Sequence, residues 1–172
     1  MNTIDIKAPL NSARKLLLDP DTVLRLNPSW YVQKITANGK DSYSVTLCDD
    51  RTDEILQIIL YIEVCEEEIN YRMNSNLIVF LMHEVTPAVV RLSIRGDFFR
   101  EEDLPYWLKG LKNYIQLEIK QSRIVKWLLD RVWLRMTPSQ RRITIIIVLA
   151  EGIGLVALVA VVIALKLLKY SL

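Results

Sequence analysis

The sequence is poor in the residues that build catalytic and metal sites. Among 172 residues it has a single histidine, two cysteines and five glycines. His83 cannot pair with its neighbour Glu84 for acid–base work, because adjacent strand residues point to opposite faces. Cys48 and Cys65 have neither metal-ligand spacing nor an extracellular context, so we interpret them as reduced packing residues. No Ser/His/Asp order, glycine-rich phosphate loop or HExxH motif occurs, and we assign no catalytic residue, metal or cofactor.

A strong charge of one sign is also missing, since 22 basic and 20 acidic side chains give a net charge of +2. The balance is uneven along the chain: residues 1–100 carry −3 and residues 101–172 carry +5. No nucleic-acid-binding motif accompanies the basic part, so attraction to anionic lipid headgroups explains it better than nucleic acid does. The N-terminal residues lack a basic stretch followed by an apolar segment, which argues against a cleaved secretory signal.

One long apolar run extends from Ile143 to Leu165 and contains a single ionisable side chain, Glu151. At ~1.5 Å per residue it would span ~30 Å of hydrocarbon, so it predicts a transmembrane helix. Basic residues flank it unevenly, with Arg123, Lys126, Arg131, Arg135, Arg141 and Arg142 before it and Lys166 and Lys169 after it. The positive-inside bias then predicts a single-pass membrane protein with its N-terminal domain in the cytoplasm and a short C-terminus on the far side.

The part before this run has the size of one domain. The chain from Trp30 to Phe99 alternates apolar and polar residues between turn signals, which predicts six antiparallel strands in a meander. A short strand at Thr3 to Lys7 and two short helices precede the meander. Asn38-Gly39 is expected to form a two-residue hairpin turn with positive φ.

A long helix is predicted after Asp103, because apolar residues recur there at helical spacing. They are Leu104, Trp107, Leu108, Leu111, Tyr114, Ile115 and Ile119. This apolar face must be buried, and the concave side of the meander is the large apolar surface available. We assign residues 1–122 to the folded domain and residues 138–169 to the transmembrane anchor.

The segment 123–137 mixes tryptophan and apolar residues with arginine and lysine. Indole rings and basic side chains are typical of the membrane interface, so we interpret it as an amphipathic juxtamembrane segment. The alternative is that the long helix simply continues as part of the domain core.

The order of strand, two short helices, meander and long helix, with the segment LLDPDTVLRLNPSW at Leu17 to Trp30, resembles the START-like or SRPBCC superfamily. This superfamily includes the Bet v 1 allergens and polyketide cyclases. The resemblance covers residues 1 to about 122 and implies an α+β helix-grip fold, an antiparallel β-meander wrapped around a long C-terminal helix, here followed by a single transmembrane helix. It also implies a cavity that holds an apolar small molecule or lipid, although only some members are enzymes.

Ile58 is not assigned to the cavity. The candidates for lining the cavity are six aromatic side chains of the meander and the long helix. They are Tyr43, Tyr61, Tyr71, Phe80, Trp107 and Tyr114. The tyrosines are equally expected as ordinary core or rim residues.

Glu151 is a candidate for helix pairing in the membrane. An ionised carboxylate near mid-bilayer costs ~2.5–3.5 kcal/mol, which protonation or a partner helix would offset. Gly152 and Gly154 would let another backbone approach closely.

Three functions follow from these patterns. The first is a membrane-tethered cytoplasmic module that binds an apolar or lipid-like ligand from the adjacent leaflet. The second is an interaction or regulatory subunit whose anchor helix pairs with a second copy or another membrane protein. The third is a cyclase-like enzyme in which cavity tyrosines orient the substrate.

Overall fold

The computed structural model describes residues 2–74, 76–96, 102–120 and 123–171. The strands are β1 (Asn2–Ile6), β2 (Trp30–Ala37), β3 (Ser42–Asp49), β4 (Ile55–Val64), β5 (Glu68–Met73), β6 (Asn76–Thr86) and β7 (Val89–Gly96). The helices are α1 (Leu10–Leu17), α2 (Pro20–Arg25), α3 (Leu104–Lys120), α4 (Arg123–Arg131) and α5 (Pro138–Ser171), with a 3-10 turn at Trp133–Arg135. Phe98, at which the last predicted strand ends, and Phe99, at which the alternating region ends, lie outside the described residues.

The described strands form one antiparallel sheet in the order β1-β7-β6-β5-β4-β3-β2. Strands β2 to β7 are the predicted six-stranded meander. The first strand joins the far edge by pairing with β7, so that Asp5 lies opposite Arg91. The Arg91 guanidinium donates to the Asp5 carboxylate from Nε at 2.8 Å and from Nη2 at 3.1 Å, and this bond lowers the pKa of Asp5.

Helix α3 packs on the sheet mainly through β1, and also contacts β7 and α1. Six of the side chains predicted for its apolar face are buried: Leu104, Trp107, Leu108, Leu111, Tyr114 and Ile115. The side chain of Ile119 lies outside the described part of the chain. A meander folded over a long C-terminal helix is the helix-grip fold, so the predicted α+β fold class is confirmed.

The turn between β2 and β3 differs from the sequence prediction. Ala37 pairs with Tyr43, so the connecting loop is wider than a two-residue turn. Gly39 does not have positive φ. The Asn38 amide donates to the Ser42 carbonyl at 2.8 Å, and its side-chain Nδ2 donates to Ser44 Oγ at 2.8 Å. These two hydrogen bonds from Asn38 stabilise the wider loop, and the predicted two-residue turn does not form.

The chain divides into two compact units, Met1–Pro138 and Ser139–Leu172. The first unit contains α4 and the 3-10 turn, whose Leu134 side chain is buried in the hydrophobic core. In α5 the stretch Pro138–Ala160 contains an 18-residue window with a mean hydropathy of 2.6, and none of this window is buried in the structure. This helix is long and apolar enough to cross a membrane.

Candidate functional site

The interior between the sheet and α3 contains a cluster of aromatic rings in edge-to-face contact. Phe80 lies 5.1 Å from Tyr71 and 5.5 Å from Trp107 between ring centroids. Trp107 also contacts Trp30 at 5.8 Å. Tyr71, Phe80 and Trp107 are completely buried. The structure therefore brings three of the cavity candidates together, and they fill the space between β5, β6 and α3 with their own rings.

Polar atoms of this cluster bond to backbone carbonyls of the two short helices. The Tyr71 hydroxyl donates to the Leu17 carbonyl at 2.7 Å, and Trp107 Nε1 donates to the Val23 carbonyl at 3.0 Å. Burial raises the pKa of Tyr71 well above its usual value, because desolvation penalises the phenolate. A neutral and bonded phenol of this kind holds α1 against the sheet and is poorly suited to proton transfer.

Tyr43 lies outside the aromatic cluster and is only partly buried. It shares the inner face of the sheet with Ile35 and Leu56, which are also partly buried and pack against the core. Ile35 pairs with Val45, and Tyr43 pairs with Ala37. Ile35 and Tyr43 therefore lie beside each other near the β2 edge of the sheet. At Ile35 and Tyr43 the apolar inner face is therefore incompletely covered.

Two of the candidate tyrosines lie outside the aromatic cluster. Tyr61 is on the outer face of β4, where 47% of it is exposed, because its neighbours Leu60 and Ile62 point inward. Tyr114 is buried on α3, and its hydroxyl donates to Asp130 Oδ1 of α4 at 2.7 Å. Ile58, which was not assigned to the cavity, is buried in the core.

A polar cluster that no sequence pattern indicated lies at the start of α3, where Asp103 and Ser29 are buried and Arg51 and Glu102 are exposed. Asp103 accepts a hydrogen bond from Ser29 Oγ at 3.0 Å and one from Arg51 Nη2 at 2.7 Å. The same guanidinium donates from Nη1 to Glu102 at 2.9 Å, and these carboxylates raise the pKa of Arg51. No local pattern links Arg51 to Asp103, because 52 positions separate them. The cluster ties the β3–β4 turn to the first turn of α3.

His83 is exposed on β6 and is paired in register with Arg91. Among the residues that the structure describes, no group of three or more His, Cys, Asp or Glu side chains is arranged to hold a metal ion. Cys48 and Cys65 are both free thiols.

Glu151, Gly152 and Gly154 are all exposed on α5. A methyl group added at either glycine would meet no atom within 4 Å. A shallow groove lies along one face of this helix, lined by Val148, Leu149, Gly152, Ile153 and Val156. Glu151 and Gly154 are three positions apart and lie on one side of the helix.

The fold and this interior define a helix-grip protein whose deep core is filled by aromatic side chains. No known family profile and no curated protein matches the sequence. Similarity is found to solved structures, at identities that show the fold alone.

One similar structure is the di-domain ARO/CYC StfQ from the steffimycin biosynthetic pathway, with a TM-score of 0.52 and 7% identity. The similarity covers 69% of this chain and 45% of StfQ. Another is the protein TTHA0849 from Thermus thermophilus, with a TM-score of 0.51, 11% identity and coverage of 69% of this chain and 97% of that one. A hypothetical protein from Sulfolobus tokodaii has a TM-score of 0.50 and 10% identity, over 79% of this chain and 100% of that one.

Proposed function

We propose that this chain is a membrane-tethered helix-grip module that binds an apolar or lipid-like ligand. The observation that carries the proposal is that Ile35 and Tyr43, which lie beside each other on the apolar inner face of the sheet, are only partly buried. Because Phe80 and Trp107 fill the deeper interior, the ligand lies on the β2–β4 half of the sheet. The third predicted function, a cyclase-like enzyme, has less support, because the hydroxyls of Tyr71 and Tyr114 are already donated within the protein.

The tether in this proposal is α5, with the helix-grip domain in the cytoplasm and the residues after the apolar run on the far side. The apolar stretch of α5 and the excess of basic residues before it support this topology. An apolar ligand is concentrated in a bilayer, so a binding module gains access to it by being held at the membrane surface.

Native mass spectrometry of the full chain, released from detergent after addition of deuterated palmitate, tests the ligand proposal. We expect one saturable adduct per chain. Ile35→Trp should abolish the adduct, because the larger ring would fill the opening beside Tyr43. Ile59→Trp is the matched control, since Ile59 lies on the outer face of the sheet and is 46% exposed. Equal adducts in both variants, or none in the unmodified protein, would contradict the proposal.

The second candidate function is an interaction subunit that pairs through α5. It is favoured by the exposed carboxylate of Glu151 beside the open surface at Gly154, since a carboxyl group in hydrocarbon gains from a partner that offers a donor. Glu151→Leu should abolish co-purification of a second copy or a membrane partner. Val156→Leu, another change on the same helix, should leave co-purification intact. Association that survives Glu151→Leu would refute this role of the helix.

A further inference from the structure

Helix α4, together with Val132 directly after it, exposes a continuous apolar face. Trp127 is 56% exposed, Leu128 53%, Val125 40% and Val132 38%. At 100° per residue these positions fall within about half of the helix circumference, together with Arg131. Four large apolar side chains on one exposed strip of a short segment are more than the scattered apolar residues of an ordinary protein surface.

The opposite side of this segment is held by the domain. Leu129 and Trp133 pack against the core, and Leu134 is buried in it. The Tyr114 hydroxyl on α3 donates to Asp130 at 2.7 Å. Helix α4 is therefore packed against the domain on one side, and its exposed apolar face has a fixed orientation on the domain.

Basic side chains border the exposed face. The Arg131 guanidinium lies 6.0 Å from the centre of the Trp127 ring. A shallow pocket is lined by Trp127, Asp130, Arg131 and Arg135. Its one acidic member, Asp130, already accepts the hydrogen bond from Tyr114. Two guanidinium groups beside an indole suit the phosphate of a lipid headgroup, with the ring at the depth of the interface.

We propose that this face of α4 docks on the anionic leaflet of a bilayer, with Arg131 and Arg135 on lipid phosphates and Trp127 and Leu128 among the upper acyl chains. The charge of the chain favours this occupant, because residues 101–172 carry +5 whereas residues 1–100 carry −3. Along the chain, the exposed face ends at Val132, shortly before Pro138, where the apolar helix begins. The inference rests on the proposed tether, and it adds a second contact that sets which side of the domain meets the lipid.

Tryptophan quenching in nanodiscs tests the docking with the full chain. The protein is reconstituted in phosphatidylcholine, with or without phosphatidylglycerol, in which the acyl chains carry bromine near the headgroup. The difference between the unmodified protein and Trp127→Phe isolates the emission of Trp127. Trp133→Phe is the matched control, because Trp133 packs against the core. We expect bromolipid to quench the Trp127 component, more strongly with phosphatidylglycerol, and to spare the Trp133 component.

The paired change Arg131→Gln with Arg135→Gln tests the electrostatic part. At about 1 kcal/mol per basic side chain near an anionic surface, the docking equilibrium should fall about 30-fold. Arg72→Gln with Arg95→Gln, on the outer face of the sheet, removes the same charge and should leave quenching unchanged. Unaltered quenching after the change on α4 would overturn the assignment of these two arginines.

The remaining outcomes separate docking from tethering. A chain that floats with vesicles but shows no Trp127 quenching overturns the docking and leaves the tether standing. Cross-linked dimers under that condition would identify a second copy as the occupant of the α4 face. A chain that does not float with vesicles overturns the tether and the docking together. The palmitate adduct is measured in detergent, so its presence or absence bears on the ligand proposal alone.

Discussion

Replacing Tyr71 with phenylalanine should change how the stability of the domain depends on pH. The change removes one oxygen atom and its hydrogen bond to the Leu17 carbonyl, and it keeps the ring that contacts Phe80. At pH 8 the free energy of unfolding should fall by about 1–2 kcal/mol, because a buried hydrogen bond is removed and the Leu17 carbonyl loses its donor.

Above pH 10 the difference between the two proteins should shrink. The unfolded chain loses the tyrosine proton near a pKa of about 10, whereas burial raises the pKa of Tyr71 in the folded protein and keeps the phenol neutral. The unfolded state then binds fewer protons than the folded state, so stability falls as pH rises. At pH 11 this effect amounts to about 1.4 kcal/mol. The Tyr71→Phe variant has no phenol at this position and does not undergo this loss. Its stability deficit relative to the unmodified protein should therefore almost disappear at pH 11.

Guanidinium unfolding of the full chain in mild detergent at pH 8, 10 and 11, followed by the fluorescence of buried Trp30 and Trp107, measures both values. Tyr61→Phe is the matched control, because this tyrosine is on the exposed outer face of the sheet and its loss should change stability little. A Tyr71→Phe deficit that stays constant from pH 8 to 11 would refute the reasoning. It would mean that the Tyr71 hydroxyl ionises in the folded protein and that water reaches the aromatic cluster.

Three further substitutions test the packing around α3 by the same unfolding assay. Trp107→Ala should cost about 3–5 kcal/mol, because it opens a cavity at the centre of the core; a loss below about 1 kcal/mol would show that the ring covers space that is already empty. Arg51→Gln should lower the unfolding midpoint, because the buried Asp103 carboxylate loses its charged donor and keeps the Ser29 hydroxyl; no loss would mean that water replaces the guanidinium. Gly110→Ala should fail to gain the ~1 kcal/mol that alanine normally gives in a helix, because its methyl group would lie 3.2 Å from the Leu26 carbonyl; a full gain would show that α2 moves aside freely.

The strands and the apolar face of α3 were predictable because each depends on local periodicity. Alternation places Val90 and Leu92 inward on β7, and a spacing of three to four residues places Trp107 and Leu111 on one side of α3; all four are buried. For these four residues the sequence and the structure agree on the face that is buried. Alternation with inward-pointing Leu60 puts Tyr61 on the outer face, where it is 47% exposed, so the structure does not support Tyr61 as a cavity residue.

The filling of the interior was not predictable, because it depends on the sizes of side chains that meet from distant elements. Phe80 and Trp107 are far apart in the chain, and only the folded structure shows that their rings are in contact. The cluster of Arg51 with Asp103 is hidden for the same reason. At Asn38 the local signal for a tight turn was present, but side-chain bonding to Ser44 stabilises a wider loop.

The pairing of β1 with β7 has a consequence for folding during synthesis of the chain on the ribosome. Asp5 and Arg91 are 86 positions apart, so at roughly 5–20 residues per second the ribosome takes about 4–17 s to make the partner of the first strand. During that interval the apolar side chains of Ile4 and Ile6 have no β7 to cover them, and β1 is an unpaired strand edge. Strand β1 is therefore made well before its partner and pairs late, so the sheet can close at this edge only after β7 has been made.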